Sequence, residues 1–387
     1  MKKLLSIILA VVVLMSSLFI LTGCDNNNNN GDNEENMNID YKNMTAEDLL
    51  SKIVKDRNKV TVDEYVKLIS TYSNVEIKED LTIDDNITDE ALDEIDSKAA
   101  PKLADYLEKL LTSEYPQVRG YGISLIYSLT GVSDKNIELA KNLIKDETNT
   151  YVLYKATKAL SNEAKSAPEI AEFLKKMAKH ENATIRAAAA SALGNYWSKG
   201  VDGAAETIIM LMKDSDTEVR KIACKNAGDL GDESVIEPLV GILNNADDAD
   251  LHGSCIEGLV SLWYDYPSFR NTSEKAYNAT MDYLKKTPRT EKIPAWTAVG
   301  SFKTTSSQNS FTEWKQKATY FNTDDIYNIM VDIIKDADAS YLARTSAIDV
   351  IKSHCSEEKF KELKSVVDGL SDSKAKQVIS SYDNKAK

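Results

Sequence analysis

Ile236, Leu239, Val240 and Leu243 stand at the i, i+3, i+4, i+7 spacing that gathers apolar side chains on one helix face. Neighbouring stretches repeat the pattern. It predicts helices at Gly203–Met212, Thr217–Leu230, Ser234–Leu243 and Asp250–Trp263. Asp214 and Asp216 precede the second of these, where carboxylates cap free N–H groups and meet the positive dipole end. Ala187–Ala190 and Ala192 combine helix propensity with small size, so another helix can approach closely. With 15 Gly and 7 Pro in 387 residues, turn residues are too sparse for a β-rich chain. The pattern predicts an all-α fold.

The helices recur as units. Thr217–Ala223 (TEVRKIA) parallels Ala183–Ala189 (ATIRAAA) and Pro116–Gly122 (PQVRGYG). Aligned on the arginine, the chain gives Arg119, Val152, Arg186, Arg220 and His252, separated by 33, 34, 34 and 32 residues. A degenerate copy lies near Trp296, and a clearer one at Leu342-Ala343-Arg344. A pair of short helices cannot bury its own apolar faces, whereas stacked pairs can. The period, the two-helix unit and the Asp214–Arg220 start resemble HEAT repeats, in particular the bacterial PBS-lyase-type HEAT repeats.

That resemblance implies an α-solenoid, a superhelix of antiparallel helix pairs with an N-terminal helical cap. Regular repeats span 99–265; degenerate repeats and a C-terminal cap span 266–387, ending in helices at Glu357–Leu370 and Ser373–Tyr382. It also implies that Arg119, Arg186, Arg220 and Arg344 pair with acidic or carbonyl groups of adjacent units as a structural ladder, interrupted at Val152 and His252. A basic ligand stripe is the competing reading of the same arginines.

A different apolar pattern opens the chain. Lys2 and Lys3 precede the largely apolar run Leu4–Leu21, which closes on Leu21-Thr22-Gly23-Cys24. This ending resembles the lipobox of bacterial lipoprotein signal peptides. The resemblance implies removal of residues 1–23 and a diacylglycerol on Cys24; an uncleaved helix anchor is the other reading. Either way the remainder faces outward from the cytoplasmic membrane, because the lysines stay inside. Residues 24–44, with Asn26–Asn30, offer too little apolar surface to fold and read as a disordered tether.

Residues 45–98 read as an acidic helical segment. Thr45-Ala46-Glu47-Asp48 and Thr61-Val62-Asp63-Glu64 are helix starts, predicting helices over 46–56 and 62–73. Residues 25–98 carry 20 acidic and 8 basic side chains, which leaves the repeats nearly neutral. Within Glu76–Asp96, Asp84–Asp89 lacks the glycine of an EF-hand and Ile95 stands where the bidentate glutamate belongs. The stretch therefore reads as a solvated acidic loop and not a calcium site. Residues 287–322 interrupt the period through Pro288 and Pro294; a helix Thr312–Tyr320 carrying Trp314 follows, with Ser310 and Glu313 as its capping pair.

Charge and chemistry narrow the function. A formal net charge of −14 disfavours a phosphate backbone as partner. His180-Glu181 is the sole His-Glu pair, so the series used by the HEAT-like di-iron hydroxylases is missing; His354-Cys355 is isolated. No Cys-x-x-Cys, nucleophile elbow or P-loop occurs. No catalytic residue, metal or cofactor is expected. Cys224 and Cys255 fall at nearly matching places on the second helices of adjacent units, as a disulfide or as two small buried side chains.

Trp197 lies twelve residues after Ile185, and Trp263 twelve after Leu251. With Tyr196, Tyr264 and Trp296 they make a candidate binding rim; the alternative is that these rings close the edge of the core. The whole reads as a lipid-anchored, extracytoplasmic, non-catalytic scaffold whose partner is a protein, a peptide or an envelope polymer. A ligand-binding lipoprotein serving a transporter is the alternative, and it needs a closed pocket.

Overall fold

The computed structural model describes residues 75–83, 107–126, 134–264, 270–286 and 308–386, all within the unit Met44–Lys387. The expected signal peptide with its lipobox, the expected tether, the helices expected over 46–56 and 62–73, most of the expected acidic loop, Pro288, Pro294 and Trp296 lie outside the described residues.

Sixteen helices are described. Ten form consecutive pairs: α1 (Leu107–Leu111) with α2 (Pro116–Ser124), α3 (Asp134–Asp146) with α4 (Thr150–Ala159), α5 (Pro168–Met177) with α6 (Ala183–Leu193), α7 (Ala204–Leu211) with α8 (Thr217–Asn226), and α9 (Ile236–Leu243) with α10 (His252–Trp263). After α11 (Glu274–Lys286) and α12 (Gln308–Lys317) come two more pairs, α13 (Thr323–Lys335) with α14 (Tyr341–His354), and α15 (Glu357–Asp368) with α16 (Ala375–Ala386). The fold is an α-solenoid.

Side-chain caps fix where the second helices begin. The side-chain oxygen of Asn149 accepts from the N–H groups of Tyr151 and Val152, that of Asn182 from Thr184 and Ile185, and that of Asp216 from Glu218 and Val219. Each cap satisfies donors that a helix start leaves without a partner. With Tyr115 at the same place before α2, these residues recur every 34, 33 and 34 positions. This corrects the sequence alignment by one residue: the place four after the cap, held by Arg119, Arg186 and Arg220, is occupied in the second unit by Leu153 and not Val152.

Several boundaries differ from the sequence expectation for local reasons. α8 ends at Asn226, where tighter turns replace the helix: the Asp229 N–H donates to the Asn226 carbonyl and the Gly231 N–H to that of Gly228, and Gly231 itself has a φ of 67°. 3-10 turns at Glu233–Val235 and Ala246–Leu251 delay α9 and α10. α12 starts at Gln308, so Ser310 lies inside the helix and is not its cap. Within the acidic segment, Val75–Ile83 is a turn closed by an Ile77–Ile83 bridge, and Gln117 Nε2 donates to the Val75 carbonyl at 2.7 Å.

Apolar faces meet between pairs. Ile170 and Leu174 of α5, Ile185 and Leu193 of α6, Ile208 of α7 and Val219 of α8 are fully buried, each such side chain contributing about 1.5–3 kcal/mol. The second helices approach to backbone contact at α8 and α10. A Cβ on Gly258 would run into the Cys224 carbonyl oxygen, and one on Gly228 into that of Gly258. Cys224 and Cys255 are both buried at this crossing, and both are free thiols. Of the two readings of this pair, the structure contains the unbridged one.

Candidate functional site

The four arginines are placed first by their register and then by what they touch. Arg119 Nε donates to Glu147 at 2.8 Å and Nη2 to its other oxygen at 3.1 Å; Arg186 does the same with Asp214 at 2.7 and 2.8 Å. The Nη1 groups meanwhile donate to carbonyls of their own inter-helix loop, Ser113 and Glu114 in one unit, His180 and Glu181 in the other. Arg344 grips Asp372 through both Nη groups at 2.7 and 2.9 Å and gives Nε to the Ile334 carbonyl. In all three cases the carboxylate lies 28 residues downstream and also accepts the backbone N–H two residues after itself. These forks hold Asp214 below the usual carboxylate range and pull Asp372 down to about 2.

Two rungs differ. Arg220 keeps its loop carbonyl, Asp214 O at 2.9 Å, but its Nη2 turns to Thr217 Oγ1 and its buried Nε has no hydrogen-bond partner. The following loop is the 3-10 turn Ala246–Leu251, where Asp248, 28 positions on, is engaged by Asn245 Nδ2. His252 does not simply interrupt the series. Its Nε2 meets the Asn245 carbonyl at 3.0 Å and its Nδ1 the Tyr283 hydroxyl at 2.9 Å, so an imidazole joins loop and next unit without a carboxylate. Arg119, Arg186 and Arg344 are committed to carboxylates and carbonyls of the scaffold, and Arg220 to its own loop, so they do not line up as a free basic stripe.

The aromatic rim needs correction. Trp263 and Tyr264 are buried, at 0% and 3% exposure. α10 stays helical through Trp263, which turns the indole inward, and later segments fold over it. Trp263 Nε1 donates to Thr280 Oγ1 at 3.1 Å, Tyr277 meets the indole edge-on at 5.1 Å, and Trp314 Nε1 donates to the Trp263 carbonyl at 3.0 Å. In the earlier unit the chain leaves α6 by a 3-10 turn, Tyr196–Ser198, capped by Asn195. That turn leaves Trp197 55% exposed beside Tyr196, on whose ring Arg270 stacks at 3.4 Å. Only Tyr196 and Trp197 remain as surface aromatics of the rim; Trp296 lies outside the described residues.

A concavity lies elsewhere, over α6. It is a trough of about 550 Å³ between α4 and α8. Thr184, Ala187, Ala188 and Ser191 form its floor, with Ala183 and Ala192 at its two ends, while the buried Ala189 and Ala190 serve the core. The alanine run is thus divided between two jobs. Tyr154 and Lys158 of α4 make one wall, with the Lys158 ammonium 5.3 Å above the Tyr154 ring. Asp216, Glu218 and Ile222 make the other.

These residues escaped the sequence reading, although a signal was present. The floor residues stand two, five, six and nine places after the cap of α6, and at those places the units differ: Tyr151, Tyr154, Lys155 and Lys158 in α4, and Glu218, Lys221, Ile222 and Lys225 in α8. Positions that build the scaffold repeat; positions that face the trough do not. Among the described residues no cluster of His, Cys, Asp and Glu is arranged to hold a metal ion, and no helix is long and apolar enough to cross a membrane.

The family model for HEAT repeats matches residues 170–260, from α5 into α10. A solved structure of an engineered protein from the Northeast Structural Genomics Consortium shares 15% identity over 86% of this chain and 87% of that chain, with a TM-score of 0.38. No curated protein matches the sequence. The matched segment is similar to HEAT repeats, and the stacked helix pairs give the fold as an α-solenoid.

Proposed function

We propose that this chain is a non-catalytic docking scaffold, anchored to the outer face of the cytoplasmic membrane by a lipid on Cys24, which receives a segment of a partner protein in the trough over α6. The observation that carries the docking half is the trough itself. Its volume falls within the range of about 300–1,000 Å³ for ligand sites, and its small floor residues leave room that neighbouring units fill with their own side chains. Trp197, two residues after the Asn195 that links the ends of α4 and α6, adds an exposed aromatic side chain of the type enriched at binding hot spots, with the half-buried Tyr196 beside it. The anchoring half rests on Leu21-Thr22-Gly23-Cys24 and the polar residues 24–44 that follow.

Two measurements test it. Replacing Ala188 or Tyr154 with a photo-crosslinking residue in intact cells should yield a discrete protein adduct, whereas a probe at Lys361 on α15 should not. Cys24→Ser should abolish incorporation of a labelled fatty acid and leave the precursor uncleaved. Adducts equal at all three positions would remove the docking reading; a lipid-free wild-type chain would remove the anchoring one.

A further inference from the structure

We propose that the trough takes a short α-helix of its partner, bound parallel to α6, with a basic residue at its N-terminal end and an acidic residue at its C-terminal end. The inference rests on the docking reading above and specifies its occupant.

The floor argues for a helix. Thr184, Ala187, Ala188 and Ser191 are residues i, i+3, i+4 and i+7 of α6. Four residues at that spacing frame the hole into which a side chain of a facing helix inserts. Because all four are small, the hole is deep and a second backbone can come close, as α8 and α10 already do. Tyr154 and Ile222 rise on either side and would flank the inserted apolar side chain.

The walls fix the direction. α4, α6 and α8 run the same way: Arg186 meets Asp214 at their N-terminal ends, and Asn195 Nδ2 reaches the Ser161 carbonyl at their C-terminal ends. Asp216 and Glu218 therefore stand at the N-terminal mouth on one wall, and Lys158 at the C-terminal mouth on the other. The charges are diagonal. A helix lying parallel to α6 brings its positive dipole end to the carboxylates and its negative end to Lys158, and matching side chains reinforce both contacts. From Ala183 to Ala192 the floor is roughly 14 Å long at 1.5 Å per residue, so the two charged residues of the partner should be about nine positions apart.

The test is selection of displayed random 14-residue peptides on the full-length mature chain, with Ala188→Trp and the milder Ala188→Gln as counter-selections. Circular dichroism and melting curves establish that each variant is folded. The expected result is a set of peptides blocked by Ala188→Trp, with apolar residues at i, i+3 or i+4, basic first and acidic last. Exchanging the charges of a selected peptide should weaken binding about five- to tenfold, the scale of two exposed ion pairs, and Lys158→Glu combined with Glu218→Lys should restore it. Binders without charge order, binders with alternating spacing, or none sensitive to Ala188→Trp would overturn the proposal. Self-association, or retention of an envelope polymer, lost in Ala188→Trp would assign the trough to another occupant and equally overturn it. A protein adduct at Ala188 in cells alongside such a result would leave the docking reading standing and remove only this one.

Discussion

Arg186 holds Asp214 of the next unit by two parallel hydrogen bonds, at 2.7 and 2.8 Å, while the same carboxylate accepts the N–H of Asp216. The pair is mostly buried, with 14% and 9% side-chain exposure. One acid thus ties two units together and sets up the cap of α8.

Asp214→Asn should therefore destabilise by about 1–3 kcal/mol, the cost of leaving a buried charged donor badly paired. Urea unfolding of the single variants and of Arg186→Met with Asp214→Asn should show strong coupling, the double variant costing less than the sum. Simple additivity would mean the fork contributes little.

Arg220→Met is expected to behave differently from Arg186→Met. Arg220 has no carboxylate, and its buried Nε lacks a partner, so its removal gives up little pairing while the Met stem keeps the packing. We expect a change within about 1 kcal/mol, against a clearly larger loss at Arg186. Equal losses would show that the guanidinium stem, and not its pairing, matters.

Gly258→Ala sets two effects against each other. Alanine in a helix interior gains about 1 kcal/mol over glycine, but here its Cβ would meet the Cys224 backbone oxygen, which no side-chain rotation can relieve. Overpacking costs about 1–3 kcal/mol, so the variant should melt lower than wild type. A higher melting temperature would refute the backbone contact between α8 and α10.

Acidification should loosen the ladder. Arg344 lowers Asp372 from 3.8 to about 2, and Arg186 lowers Asp214 in the same direction. A carboxyl with a depressed folded value contributes stability that is present above its unfolded value and lost as pH falls through the folded one. Melting temperature should fall between pH 4 and pH 2, and Asp372→Asn should flatten that part of the curve.

Thiol labelling should rank the cysteines. Cys224 and Cys255 are fully buried, with the Cys255 thiol pushed well up by its hydrogen bond to Cys224 and by burial; burial raises half-buried Cys355 to about 11. At pH 8 a maleimide should label Cys355 slowly and the other two only after unfolding. Rapid native labelling of Cys224 would contradict the packed crossing.

Fold was legible in the sequence because it is written in repeating terms. A cap, an aliphatic residue and an arginine recur at one spacing, and each has a local physical reason to be there. The trough was not legible for the converse reason: Ala187 and Ala188 look like Ala189 and Ala190 until the helix phase is known, and only the fixed cap supplies it. The rim misread had the same root. Trp197 and Trp263 hold equivalent sequence places, but a 3-10 turn exposes one while an unbroken helix, covered by α11 and α12, buries the other.

Each complete rung begins four residues after one cap and finishes two residues before the next such cap. A stretch cut from cap to cap therefore carries one whole rung, the arginine and the acid that closes it. Duplication or loss of such a stretch leaves every remaining joint with both its halves, so this lineage can change its length by whole units without first evolving a new seam.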